Sequence, residues 1–199
     1  MPLIPITPLH TSRLTVRGVT AADLTQLLPI NADDRVTHHL PYASWQSMSD
    51  AEAWLTRIEG LQATGGTQQW VVTRRESGEV IGAAVIFKYD EASARAELGY
   101  LMSQAHWGQG LMREALSALL DHALARHAGA GATEGLRRME AEANPLNTAS
   151  NALLQRLGFT REGTLRQRWT AKGKTYDTHI WGLLRDEWLA ASQTQRSKP

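Results

Sequence analysis

Apolar and polar positions alternate over residues 12–17, with Leu14 and Val16 on one side, which predicts a short strand. Over residues 20–30 the spacing becomes helical, with Thr20 as the N-cap and Asp23 in the first turn. A second helix is expected over 49–61, where Ala53, Trp54 and Ile58 recur at helical spacing and Ser49 with Glu52 would form a capping box. Residues 68–73 and 80–88 read as strands joined by a turn at Glu76-Ser77-Gly78, and 94–102 as a third. The clearest helix runs over 110–125, with Leu111, Ala115, Leu116, Leu119, Leu120 and Ala123 forming an apolar stripe. Residues 137–143 predict a strand, and 148–157 a helix closed by Gly158. Residues 159–169 and 174–184 predict a terminal strand pair turning at Ala171-Lys172-Gly173. Gly65-Gly66 and Gly129-Ala130-Gly131 read as loops, and the polar stretch 192–199 is expected to fray.

This order is strand, two helices, three strands, helix, strand, helix, two strands. It implies an α/β fold on a single mixed sheet, with crossover helices where parallel neighbours require them. A chain of 199 residues fits one domain, 1–199, with its core over about 11–190.

Composition mainly excludes. A formal net charge of +1 gives no global field that favours nucleic acid or an anionic membrane. The chain has no cysteine, so disulfides, thiolate metal sites and a cysteine nucleophile are ruled out. The seven histidines form no His-Glu-x-x-His pattern, so no metal is expected, and His38-His39, His106, His122 and His127 read as surface or capping groups. Residues 1–10 lack a signal-peptide pattern and no stretch reaches the roughly 20 apolar residues of a membrane span, so a cytoplasmic location is expected.

Two segments carry chemistry. After the strand ending near Met102, Gly108 and Gly110 stand at the mouth of the long helix. Glycines there let the backbone turn sharply, and the first helical N–H groups and the helix dipole suit a diphosphate. A plain strand-to-helix turn has the same appearance. A dinucleotide fingerprint fails because Arg113 stands where its third glycine belongs, and no Walker Gly-Lys-Ser/Thr is present. In the second segment, 144–159, Asn147 sits at an N-cap and Ser150 in the first turn, where its hydroxyl can face a site beside the helix start.

Taken together these segments resemble the GNAT superfamily of acetyltransferases, and within it the ribosomal-protein N-terminal acetyltransferase branch. The resemblance runs through Thr11-Ser-Arg-Leu-Thr-Val-Arg17, Glu97-Leu-Gly-Tyr100, His106-Trp-Gly-Gln-Gly-Leu-Met-Arg-Glu-Ala115, Asn147-Thr-Ala-Ser150 and Leu157-Gly-Phe159, with Glu162-Gly163 after. It departs at Ala105, where the superfamily loop begins with Gln or Arg. It implies a mostly antiparallel sheet with two central strands splayed apart and acetyl-CoA as co-substrate. The pyrophosphate would lie on backbone N–H groups of Trp107, Gly108, Gln109, Gly110, Leu111 and Met112. The pantetheine arm would lie in the splay, along Leu101 and Met102 and bonded by Asn147. The Met102 N–H would polarise the thioester carbonyl, and Ser150 would protonate the leaving thiolate. Arg156 would reach a phosphate or stay a solvated helix residue. Dimerisation is expected by the same analogy.

Amine acetylation needs a neutral amine, hence a base. Glu97 is the first candidate, on the strand that runs into the site, with Glu140 and Glu142 as competitors; alternatively Glu97 pairs with Arg95 or Arg138. His38, Tyr42 and Trp45 fall where the branch closes over its acceptor, and Asp177 reads as a structural hydrogen-bond partner. The acceptor is expected to be a primary amine, first a protein N-terminal α-amine. The alternatives are a small amine (amino acid, polyamine or antibiotic-like) or a non-catalytic acyl-CoA-binding module.

Overall fold

Alternation along one strand sets the two sides of the sheet: Trp70 and Val72 enter one core, Val71 the other. The computed structural model describes residues 6–125 and 135–196; the loop expected at 129–131 and His127 lie outside them. Eight strands form one sheet: β1 (Leu9–His10), β2 (Leu14–Gly18), β3 (Gln68–Arg74), β4 (Val80–Asp90), β5 (Arg95–Met102), β6 (Arg138–Ala143), β7 (Thr160–Ala171) and β8 (Lys174–Leu184). Their order is β1-β2-β3-β4-β5-β6-β8-β7, antiparallel except at β5–β6. The helices are α1 (Leu24–Ala32), α2 (Asp34–Thr37), α3 (Met48–Ala63), α4 (Leu111–Leu124), α5 (Thr148–Arg156) and α6 (Arg185–Arg196).

The first core is built on α4. Leu111, Ala115, Leu116, Leu119, Leu120 and Ala123 are buried there against Leu14, Val72, Ile86, Leu98 and Met139. Each fully buried leucine contributes about 2 kcal/mol, so this stripe drives the docking of α4. The second core lies on the opposite face, where Leu24, Leu27, Ile30, Ala51 and Leu55 of α1 and α3 cover Val71, Val80 and Ala83.

Several local expectations shift. The capping box of α3 is Ser47 with Asp50, not Ser49 with Glu52, so the helix starts a turn-fraction earlier. Its buried positions are then Ala51, Leu55 and Ile58, and Ala53 points to solvent. Thr20 and Asp23 do form a capping box, but on a 3-10 turn, Ala21–Asp23, that leads into α1. The chain tail is helical as far as Arg196 rather than frayed from 192. β1, α2 and a 3-10 turn at Gln104–His106 are too short to show a period.

The parallel pair β5–β6 is registered only at Arg95–Arg138, Ala96–Met139 and Glu97–Glu140. Beyond Glu97 the two strands have other neighbours, β4 and β8, but not each other. A V-shaped slot therefore opens between them, with its apex at Glu97 and α4 and α5 at its mouth.

Candidate active site

The glycine loop at the slot's mouth is rigidly braced. Gly108 and Gly110 have φ of 72° and 73°, the left-handed conformation that an L side chain resists, and Gly110 is the N-cap of α4. The Arg13 guanidinium donates to the Gln109 carbonyl at 3.1 Å and, through Nε, to Glu114 at 2.6 Å. Glu114 also accepts from Thr11, from Ser12 and from the backbone N–H of Arg13. Burial alone would raise its carboxyl; these hydrogen bonds outweigh it and hold the group down at about 2.

The Trp107 backbone N–H donates to Gln104, so it is already used. The Trp107 indole instead donates to the Met102 carbonyl at 2.7 Å and ties the loop to the end of β5. The first intrahelical bond is Glu114 N–H to the Gly110 carbonyl at 3.0 Å, and the N–H groups before it lack a partner within the helix. Gly108, Gln109, Gly110, Leu111 and Met112 thus offer an anion cradle: a Cβ at Gly108 would meet no atom within 4 Å, so space stands open in front of it.

Backbone alternation assigns the groups lining the slot. Ser103 N–H donates across to Ile81 of β4 at 2.9 Å. Leu101, two residues back, therefore also pairs with β4, whereas Met102, Tyr100 and Leu98 turn their N–H groups toward the slot. Leu101 thus contributes no backbone group there.

α5 supplies the opposite wall. The Asn147 side chain accepts from Ser150 N–H at 3.1 Å as the helix cap, and its amide NH2 has no protein partner among the described residues. Asn151 fixes α5 to β8: its carbonyl oxygen meets the Trp181 indole and His179 Nδ1, each at 3.1 Å. Ser150 Oγ lies 2.7 Å from the Tyr100 hydroxyl. Burial pushes the Tyr100 phenol up to about 12, so it stays protonated at working pH. Tyr100 was visible only as part of a motif; nothing in the sequence alone places it across from Ser150. Arg156 is exposed.

Glu97, at the apex, is buried and faces the other side of the sheet. Burial raises its carboxyl; Lys88, 2.7 Å away, opposes this, and Glu142 and Glu140 add to it. The expected arginine partners serve Glu140 instead, Arg95 at 3.0 Å and Arg138 at 2.8 Å. Glu142 accepts from the Trp169 indole at 2.7 Å and from Arg168 at 3.3 Å. These come from the β7–β8 arm, whose tip reaches α2 through Lys172 Nζ donating to the Thr37 carbonyl at 2.7 Å. His38 is the C-cap of α2, and the Tyr42 hydroxyl donates to Asn31 at 3.1 Å. Trp45 is different: it is buried in the second core, 5.4 Å from Trp54. Asp177 accepts from Gln167 N–H, a structural bond.

The arrangement can bind an anion at the glycine loop and an extended arm in the slot, deliver a proton from one face and accept one on the other. Among the described residues no cluster is placed to hold a metal, and no helix is long and apolar enough to cross a membrane.

Comparison with known proteins bears on this geometry. Residues 13–160 match the model of the acetyltransferase (GNAT) domain. The uncharacterized N-acetyltransferase p20 of Bacillus licheniformis is 32% identical over 180 residues, 90% of this chain and 97% of that protein. The [ribosomal protein uS5]-alanine N-acetyltransferase of Escherichia coli is 29% identical over 194 residues, 93% of this chain and 94% of that one. A GCN5-related N-acetyltransferase from Brucella melitensis superposes with a TM-score of 0.82 at 20% identity, over 98% of this chain and 86% of that structure.

Proposed function

The chain belongs to the GNAT acetyltransferase family, as an acetyl-CoA-dependent N-acetyltransferase, and on that footing we propose that its acceptor is a protein N-terminal α-amine. The observation that carries this reading is the division of labour across β5: a buried carboxylate, Glu97, on one face at the slot apex, and a hydroxyl pair, Tyr100 with Ser150, on the other face further along the slot. The likeness to the uS5-alanine enzyme across nearly both whole chains supports the acceptor class.

In this reading Gly108, Gln109, Gly110, Leu111 and Met112 hold the co-substrate's diphosphate with their N–H groups. Asn147 donates its amide NH2 to the pantetheine arm. The Met102 N–H, five residues from Glu97 at the loop end of β5, bonds that arm where it enters the slot rather than the carbonyl, and the slot-facing N–H of Leu98, beside Glu97, meets the developing oxyanion. Glu97 takes the ammonium proton, directly or through water, because only the neutral amine has the lone pair that attacks. Ser150, with Tyr100 behind it, protonates the thiolate. Attack is direct; no cysteine exists to carry the acyl group.

A small polycationic amine is the second reading, favoured by the three carboxylates Glu97, Glu140 and Glu142 on the acceptor face. Calorimetry with acetyl-CoA, with Gly108→Glu/Gly110→Glu as control, comes first, followed by a panel of N-terminal peptides, amino acids and polyamines. Turnover of peptides above the other amines supports the proposal. Turnover of polyamines alone replaces it with the second reading.

A further inference from the structure

Lys88 has a setting that the reaction does not require. It stands where the β4–β5 register shifts, between Phe87 and Asp90, and its φ is 53°, a left-handed backbone that lysine rarely adopts. From there its side chain crosses β5. The ammonium lies 2.7 Å from Glu97 and 3.7 Å from Glu142, with the Trp169 ring centroid at 5.9 Å and that of Phe87 at 5.3 Å. Two carboxylates and an aromatic face around one primary ammonium make a cation cage. Its walls come from β5, β6 and the β7–β8 arm, and Glu142 and Trp169 are fixed independently of Lys88: the Trp169 indole holds Glu142 at 2.7 Å, and Arg168 adds a second bond. Lys88 is the movable member. Its side chain is 45% exposed, whereas those of Glu97 and Glu142 are 10% and 12% exposed.

We propose that Glu97, Glu142 and Trp169 form the acceptor's ammonium subsite and that Lys88 is a resident cation occupying it until an acceptor ammonium displaces it. The inference rests on the acetyl-transfer reading above. The cage lies at the slot apex, about five residues and so about 17 Å along β5 from Met102 at the loop end. An extended pantetheine arm covers a distance of that order. An amine delivered to the cage therefore arrives where the thioester ends. The carboxylates also select. A primary ammonium with no adjacent anion, such as a peptide N-terminus or a polyamine end, fits the cage. A free amino acid brings its own carboxylate against Glu97 and Glu142 and is disfavoured.

A resident cation lowers apparent affinity in proportion to its occupancy. If Lys88 fills the cage about nine-tenths of the time, removing it tightens acceptor binding about tenfold. The variants are Lys88→Met, which keeps the chain length without charge, and Lys88→Asn, whose short side chain tolerates the left-handed backbone. Acceptor KM is measured with an N-terminal tetrapeptide amide and with the free amino acid of the same first residue, beside the KM of acetyl-CoA. Calorimetry of the same peptide into the CoA-saturated protein gives a readout without turnover.

The expected result is an about tenfold lower peptide KM and Kd in both variants, an unchanged acetyl-CoA KM, and continued rejection of the amino acid. Glu142→Gln should raise the peptide Kd. Peptide turnover with an unchanged or raised KM in both folded variants would overturn the resident-cation inference while leaving the acetyl-transfer reading intact. Tighter peptide binding by the variants, with no amine acetylated by the wild type, would keep the subsite and remove that reading.

Discussion

Arg13 and Glu114 meet behind the glycine loop through two bonds, guanidinium Nε to Oε2 at 2.6 Å and backbone N–H to Oε1 at 2.9 Å, and the same guanidinium holds the Gln109 carbonyl. The loop's shape is therefore set from the residue just before β2, across 101 residues of sequence, before any ligand arrives. Arg13→Ala should weaken acetyl-CoA binding about tenfold, one charge-assisted hydrogen bond's worth, while leaving acceptor KM in place. Calorimetry and steady-state kinetics read the two arms separately.

Glu114 also makes stability depend on pH. Its folded value of about 2 lies below the ordinary 4.5, so its contribution is full above 4.5 and disappears as pH falls through 2. Allowing for solvent around the half-exposed Arg13, this amounts to about 1–3 kcal/mol. Urea unfolding of Glu114→Gln should show that deficit at pH 7 and a narrowing gap as the pH drops below 4.5. A gap constant down to pH 2 would assign the deficit to packing instead.

At the hydroxyl pair, Ser150→Ala should lower kcat about 100-fold with acetyl-CoA affinity retained. Tyr100→Phe should cost about tenfold, since it removes only the group behind the serine. With the Tyr100 phenol pushed up to about 12, its ionisation should leave kcat unaffected below about pH 10. Equal losses in KM and kcat for either variant would point to a misplaced α5 rather than to a missing proton donor.

The proposed base, Glu97, can take a proton only when ionised, and burial raises its carboxyl above the ordinary carboxylate range. The acid limb of kcat/KM should therefore lie above that range, and Glu97→Gln should remove the limb along with most of the rate. Retention of the same limb in the variant would pass the role to another group.

Trp45 was placed by sequence among the acceptor contacts, but it is 8% exposed and packs on Trp54. Trp45→Ala should cost about 3–5 kcal/mol of stability. In material that stays folded, acceptor KM should be unchanged.

The difference between what the chain announces and what it hides follows range. α4 and the β3–β4 turn at Gly78 were readable because their signals are local: an apolar stripe, and a turn glycine with φ of 73°. The α3 cap was misplaced by two residues because Ser47 and Ser49 are each followed three residues later by an acid, Asp50 and Glu52, and only burial of Ala51 and Leu55 decides between them. The slot was known only through resemblance, since nothing in residues 95–102 or 138–143 states that pairing stops at Glu97. Tyr100 opposite Ser150, Arg13 against Glu114 and Lys88 over Glu97 are tertiary facts. The first two join residues 50 and 101 apart, and the third depends on a bulge whose φ lysine does not advertise.

The splay has a mechanical corollary. Three register pairs, from Arg95–Arg138 to Glu97–Glu140, are all the strand pairing between the five-strand and three-strand parts of the sheet among the described residues. The Lys172–Thr37 bond works as a clasp on the far side. Such a plate is creased, and flexing about that crease, with both halves intact, should be its softest motion. Whatever lies along the slot and bonds to both lips acts as a splint, so occupancy should be felt as stiffness across the whole sheet, out to β1 and β7, far from any atom it touches.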